Sequence, residues 1–142
     1  MKKQPTPATW VILGGAVVML LGSFLDFYKV DAFGFSDSYN AWSGDLYFPL
    51  SLIPVLCALA MAAHVALTTF ADVKFPDGVL GLGWNQIHLA LGFQAALMMI
   101  FWIFVEKFGY DLGIGFWLML ISGIALAVGA VLRQQEAPAT AL

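Results

Sequence analysis

The sequence predicts an all-α membrane protein: a bundle of four transmembrane helices with an aromatic-rich outer loop between helices 1 and 2. Only 11% of the 142 residues are charged, whereas a typical soluble domain has about 25%. The charges also cluster, because four long windows contain no Asp, Glu, Lys or Arg; they are residues 4–25, 46–71, 78–105 and 112–132. Uncharged apolar windows of this length indicate four membrane spans in one integral membrane domain, residues 1–142.

The first span is predicted over about residues 8–27. Thr6 or Thr9 can cap this helix, and Pro7 suits its first turn. Lys2 and Lys3 before an apolar run also fit a signal peptide. No A-x-A-like cleavage site follows, however, and three more spans do, so we expect an uncleaved first helix.

The other three spans are predicted over about residues 47–71, 84–105 and 114–132. Pro49 suits the first turn of helix 2, and Pro54 lies deeper, where we expect it to bend the helix. The segment FPDG between helices 2 and 3 is a turn signal. The polar tail from about residue 133 is predicted to be disordered.

The basic residues favour one orientation of the four spans. An even number of spans places both termini on one side, and the basic residues divide four to two between the sides; they are Lys2, Lys3, Lys74 and Arg133 against Lys29 and Lys107. The positive-inside rule therefore predicts cytoplasmic N and C termini.

Small residues recur at four-residue spacing in the predicted spans, as in Gly92 and Ala96 of helix 3 and Gly123 and Ala127 of helix 4. In lipid, small residues allow two helix backbones to approach closely. These faces either close one four-helix bundle or bind a second membrane protein, and the sequence leaves both alternatives open.

Three polar residues lie well inside the predicted spans: His64 in helix 2, and His88 and Gln94 in helix 3. Such residues are costly in a bilayer and mark a candidate functional site. The depths of His64 and His88 differ by only a few ångströms at about 1.5 Å per residue. The two histidines are therefore able to face each other.

Several kinds of site remain open for the histidines. They can form a hydrogen bond between helices, a proton relay in a transporter, or a haem site with one histidine from each helix. A metal site lacks a third ligand, because Cys57 is two turns from His64, and no metal or other cofactor is predicted. The carboxylate that four-span proton-coupled exporters need within helix 1 is absent, since the first acid is Asp26 near the end of that helix.

The outer loop gathers nine of the chain's 21 aromatic residues between Ser23 and Phe48. Some of them can form an aromatic belt at the membrane interface. The loop also has the alternation of a short hairpin or a capping segment. Its central residues either cap the bundle or bind a partner; the candidate partner-binding residues are Phe33, Phe35, Tyr39, Trp42, Asp31 and Asp37.

The chain resembles a group of small four-span integral membrane proteins of high-GC Gram-positive bacteria. The matching segments are WVILGGAVVMLLGSFLDF, SYNAWSG, FPDG and GFWLMLISGIALAVGAVL. The resemblance implies a multi-pass protein of the bacterial cytoplasmic (inner) membrane. It implies no chemistry for any residue.

These features predict a non-enzymatic accessory or scaffolding subunit of a membrane or cell-envelope complex. It would bind another membrane protein, an envelope protein or a second copy through the outer loop and the small-residue helix faces. The alternative is a small transporter or channel for a small or lipophilic molecule that uses His64, His88 and Gln94, and a more remote one is a haem-binding electron carrier. No catalytic set occurs in the sequence, and a net charge of −3 argues against a nucleic-acid partner.

Overall fold

A computed structural model describes residues 4–32, 34–42, 50–104 and 110–136. The described part of the chain contains four helices: α1 (Pro7–Ser23), α2 (Ile53–Phe70), α3 (Trp84–Phe104) and α4 (Ile114–Glu136). Strands β1 (Tyr28–Ala32) and β2 (Phe35–Tyr39) follow α1, and a 3-10 turn (Leu50–Leu52) leads into α2. The short strands β3 (Gly78–Val79) and β4 (Leu82–Gly83) lie between α2 and α3, and β5 (Tyr110–Leu112) precedes α4. The prediction of a mainly helical chain is confirmed.

Three of the four helices are long and apolar enough to cross a membrane; they are Leu50–Phe70 with the 3-10 turn included, Trp84–Phe104 and Ile114–Glu136. Helix α1 has only 17 residues. The predicted end of this helix near residue 27 is wrong, because the backbone of Phe27 forms its hydrogen bonds with residues outside the helix. Its N–H donates to Tyr39 O (2.7 Å), and its carbonyl accepts from Gly113 N (2.9 Å). That α1 also crosses the membrane stays a prediction.

Two other helix boundaries differ from the prediction. Pro54 was expected to bend the interior of helix 2, but α2 begins at Ile53, so Pro54 lies in the first turn, where it removes no helical hydrogen bond. Helix α4 continues past the predicted limit at residue 132 to Glu136. The polar residues 133–136 are good helix formers, and Arg133 near the carboxyl end suits the helix dipole. Residues 137–142 of the predicted tail lie outside the described residues.

The four helices pack in a ring in which α1 contacts α2 and α4, and α3 contacts the same two helices. Helix α1 begins and α2 ends at one end of the bundle, which we call the histidine end because it carries His64 and His88. The opposite end carries an antiparallel three-stranded sheet in the order β2-β1-β5, and we call it the sheet end. The β1–β2 hairpin lies in the predicted outer loop, and β5 adds a strand from the α3–α4 connection.

Glycines allow the helices to approach closely inside this ring. A Cβ atom on Gly115 of α4 would lie 2.5 Å from Gly22 O and 2.7 Å from Leu25 O, and one on Gly92 of α3 would lie 2.9 Å from Leu126 O. Gly92 belongs to the predicted small-residue faces, so at least this face is used in a contact within the chain.

Each helix also contributes one fully buried methionine to the core: Met19, Met61, Met99 and Met119. At the sheet end the core becomes aromatic, with the Phe27 ring edge-on to Phe116, Trp102 and Tyr28 at centroid distances of 5.4, 5.8 and 6.0 Å. Phe27 and Tyr28 are thus core residues, not the interface belt that their position in the sequence suggests.

Candidate functional site

The two histidines meet at the histidine end of the bundle. His64 lies in the last two turns of α2 and His88 in the second turn of α3, and the antiparallel packing of these helices brings their rings together. His64 Nδ1 and His88 Nε2 are 2.9 Å apart and share a hydrogen bond. Both side chains are buried, and His88 Nδ1 has no hydrogen-bond partner among the described residues.

Aromatic rings hold the His64 imidazole in place. The indole of Trp84 stacks on it at a centroid distance of 4.0 Å and an interplanar angle of 16°. The ring of Phe75 lies at a centroid distance of 5.0 Å from the imidazole, and it is edge-on to Trp84 at a centroid distance of 5.4 Å. Trp84 Nε1 donates to Pro76 O (2.6 Å), which ties the α2–α3 connection to the start of α3. His64 is therefore positioned by three elements rather than by its helix alone.

A cavity of about 450 Å³ opens beside the histidine pair. Its aromatic lining consists of His64, Phe75 and Trp84, and its charged lining of Asp72, Lys74, Asp77 and Arg133. This volume lies within the range of about 300–1,000 Å³ that small-molecule sites occupy. Asp72, which lies two residues beyond the end of α2 at Phe70, has a φ of 51° and turns the chain at the lining of the cavity.

Arg133 joins α4 to α3 at this cavity. Its Nε donates to Asn85 Oδ1 at 2.9 Å, and the side chain is half-buried. Glu136, three residues further along α4, interacts electrostatically with Arg133, and its Oε1 accepts from the backbone N–H of Ala8 at 3.3 Å. Among the described residues no carboxylate forms an ion pair with Arg133.

Gln94 does not join the histidines. It is the central residue of the 21-residue helix α3 and lies on the exposed face, opposite the buried His88, Ala95 and Met99. Within the described ranges no hydrogen bond links its amide to another residue. The same exposed face forms what we call the α3 seam, which consists of Ile87, Ala90, Gln94, Leu97, Phe101 and Phe104.

The hydrogen bond between the histidines also bears on haem ligation. His64 Nδ1 and His88 Nε2 face each other and share a hydrogen bond at 2.9 Å, so a macrocycle does not fit between these two nitrogens in this arrangement. No cluster of three His, Cys, Asp or Glu side chains that suits a metal ion occurs in the described part of the chain.

Two of the predicted partner-binding aromatics pack on the sheet end. Trp42 stacks on Phe24 at 5.5 Å and 9°, and its Nε1 donates to Ser23 Oγ at 2.9 Å. Tyr39 stacks on Tyr28 at 5.3 Å. Both contacts cap the bundle, although Trp42 keeps 38% of its surface exposed.

The remaining candidates of the outer loop are less fully described. Asp37 is exposed on β2. Phe33 and the side chains of Asp31 and Phe35 lie outside the described residues.

Sequence reasoning did not find Phe75, Trp84, Asn85 or Arg133 as parts of the site at the histidine end. One signal in the sequence pointed to Arg133: it is the charge that ends the last uncharged window, and the residues after it favour continuation of the helix. Comparison of the chain with protein-family models, curated proteins and solved structures gives no match.

Proposed function

We propose that this chain is a non-enzymatic scaffolding subunit of a bacterial inner-membrane complex, with both termini cytoplasmic, and that it assembles by pairing two copies along the α3 seam. The observation that carries the proposal is Gln94, an exposed amide at the centre of a helix long enough to span a bilayer. Four spans are assumed, with α1 as the shortest.

An amide facing lipid at this depth is energetically unfavourable. Removing an amide from water without a hydrogen-bond partner costs about 2–7 kcal/mol, depending on the reference state. Gln94 lies roughly 15 Å from either end of α3 at 1.5 Å per residue, so it is too deep for its short side chain to reach the interface. A partner helix that supplies a donor and an acceptor removes this cost.

A second copy of the chain supplies both groups. The amide carries an acceptor oxygen and two donor hydrogens. Two Gln94 side chains related by a twofold axis can therefore each donate one hydrogen bond to the other and accept one in return. No charge is needed on the partner. The other residues of the α3 seam follow the three- and four-residue spacing of a two-helix contact, with a single polar position that fixes the register.

The small-residue faces are not needed for this contact, because Gly92 and Gly123 pack against neighbouring helices inside the bundle. The sheet end is left for an envelope partner. Asp37 is exposed there, and the neighbouring Asp31, Phe33 and Phe35 stay in the proposal as binding residues for a basic or aromatic segment. The pairing of two copies would present two such ends on the outer face of the membrane.

Cysteine cross-linking tests the pairing. Leu97 in the α3 seam and Ile121 on α4 each lie seven residues from the sheet end of their helix, and their exposures are 60% and 61%. In a Cys57→Ala background, we expect oxidation of native membranes to give a covalent dimer with Leu97→Cys and little with Ile121→Cys. Equal, low yields from both would contradict the proposal.

The contribution of Gln94 is tested in the same background. Gln94→Leu should lower the dimer yield of Leu97→Cys, whereas Gln94→Asn should retain most of it. Hydrogen bonds between membrane helices contribute about 0.6–2 kcal/mol, so the dimerisation constant should fall roughly 3- to 30-fold. Co-purification of a different stoichiometric protein with a monomeric chain would instead assign the seam to another partner.

A second function, transport of a small or lipophilic molecule, is favoured by the hydrogen-bonded histidines beside the cavity. It predicts flux in proteoliposomes that His64→Ala and His88→Ala abolish while Gln94→Leu leaves it unchanged. Flux that is absent, or equal in all variants, excludes this role. A visible spectrum of the same preparation tests the haem alternative through its Soret band.

A further inference from the structure

The charges around the cavity at the histidine end differ in burial. Arg133 is half-buried, whereas Asp72, Lys74 and Asp77 are exposed and form what we call the rim. The rim thus carries two negative charges and one positive charge. A ligand that is negative at its inner end and positive at its outer end complements this order.

Arg133 retains its positive charge for such a ligand. Asn85 occupies only the Nε donor, and Glu136 attracts Arg133 electrostatically but forms no ion pair with it, because its Oε1 accepts from the backbone N–H of Ala8. A guanidinium has five N–H donors in a planar fork that matches the geometry of a phosphate. Four of them are left by the Asn85 contact, in a partly buried setting where charge-assisted hydrogen bonds are strong.

We propose that the cavity binds the headgroup of a zwitterionic phospholipid of the phosphoethanolamine type, with its phosphate at Arg133 and its ammonium at Asp72 and Asp77. In such a lipid the phosphate lies nearer the acyl chains and the ammonium lies further out, which is the order that the cavity charges require. The rings of Trp84 and Phe75 suit the interfacial depth at which headgroups lie.

An apolar groove of about 400 Å³ on the outer side of α3 and α4 offers a place for an acyl chain. Its lining runs from Ile100 and Ile124 towards Phe93 and Gln135 at the histidine end, and it shares Leu97 with the α3 seam. The groove therefore ends within one helical turn of Arg133 in sequence. Apart from Gln135 its lining is apolar throughout. The groove can therefore hold the apolar half of one amphipathic molecule while the cavity holds its polar half, with both sites close to Arg133 of α4.

Lipid retention tests the proposal. The protein is purified in mild detergent, exchanged with phosphatidylethanolamine or phosphatidylglycerol of identical acyl chains, and analysed by native mass spectrometry. The two lipids share the phosphodiester and differ in the ammonium group. We expect the wild type to retain phosphatidylethanolamine about tenfold better, and Asp77→Asn to reduce this preference without affecting phosphatidylglycerol.

Arg133→Gln should lower the retention of both lipids, because both carry the phosphate. The matched control is Lys29→Gln, which removes an exposed positive charge at the sheet end and should change neither. Asp77 is exposed, so Asp77→Asn should leave the fold intact. This variant therefore tests the proposal even where Arg133→Gln weakens the fold. Equal retention of the two lipids by the wild type, or an unchanged preference in Asp77→Asn, would overturn the headgroup assignment.

The source of the headgroup is tested by competition with glycerophosphoethanolamine, which has the same polar group but no acyl chains. We expect it to displace the lipid only at concentrations far above that of the lipid. Displacement at equal concentrations would overturn the lipid assignment in favour of a small soluble zwitterion. Pairing along the α3 seam is measured separately, so either proposal can fail without the other.

Discussion

The close approach of α1 and α4 predicts that Gly115→Ala destabilises the bundle. The added methyl carbon would lie 2.5 Å from Gly22 O and 2.7 Å from Leu25 O, where ordinary contacts begin at 3.4 Å. Both neighbours are backbone atoms, so no side-chain rotation relieves the overlap. The end of α1 and the start of α4 must separate by roughly 1 Å.

The expected magnitude follows from two opposing contributions. Overpacking of this kind costs about 1–3 kcal/mol, and alanine recovers up to about 1 kcal/mol through its helix propensity. We therefore expect a net loss of about 1–2 kcal/mol in the free energy of unfolding. Gly14→Ala is the matched control, because a Cβ there meets nothing within 4 Å, so it should be neutral or slightly stabilising.

The assay is unfolding by increasing mole fraction of sodium dodecyl sulfate in mixed micelles, followed by far-ultraviolet circular dichroism and by tryptophan fluorescence. Gly115→Ala should shift the midpoint to lower detergent fraction, and Gly14→Ala should not. If both variants unfold at the wild-type midpoint, the α1–α4 contact does not have the geometry described, and the place of α1 in the bundle is wrong.

Three further predictions use the same assay. Trp42→Phe removes the indole hydrogen bond to Ser23 and should cost about 0.5–1.5 kcal/mol; no shift of the midpoint would mean that the cap does not stabilise the fold. Leu80 has a φ of 55° in the two-residue turn between β3 and β4, so Leu80→Asn should gain about 1 kcal/mol, and a loss would contradict that turn. His64→Leu leaves the buried His88 unpaired and should cost about 1–3 kcal/mol. Adding His88→Leu to that variant should cost less than His64→Leu did, because the unpaired group is then removed. Losses that simply add would argue against the hydrogen bond between the two histidines.

The helices were predictable from the sequence because composition alone marks them. The spans predicted within the charge-free windows match α3 to within about one residue at each end, and α4 begins at the predicted residue, Ile114. Periodicity contributed little, since the cores of these helices are apolar on almost every face. Depth along the helix was also readable, which is why the approach of His64 and His88 could be foreseen.

Contacts between distant segments were not predictable in the same way. The third strand at the sheet end depends on the pairing of Lys29 with Asp111, which are 82 residues apart in the chain, and no local pattern marks such a partner. Gln94 illustrates a second gap. Its depth was clear from the sequence, but its face was not, because a one-residue change in helix phase turns a side chain by about 100°.

The two ends of the bundle differ in a way that connects these observations. At the sheet end, hydrogen bonds tie the described connections to the helices: Gly115 N donates to Asp26 O at 2.8 Å, and the hydroxyl of Ser51 donates to Ala41 O at 2.7 Å. At the histidine end a cavity with a partly buried arginine stays open. A molecule that enters there meets His64, and the described residues of the core carry no buried charge that could conduct it onward. Access from one side favours binding over passage, and a scaffolding subunit that holds a lipid at that end is consistent with this asymmetry.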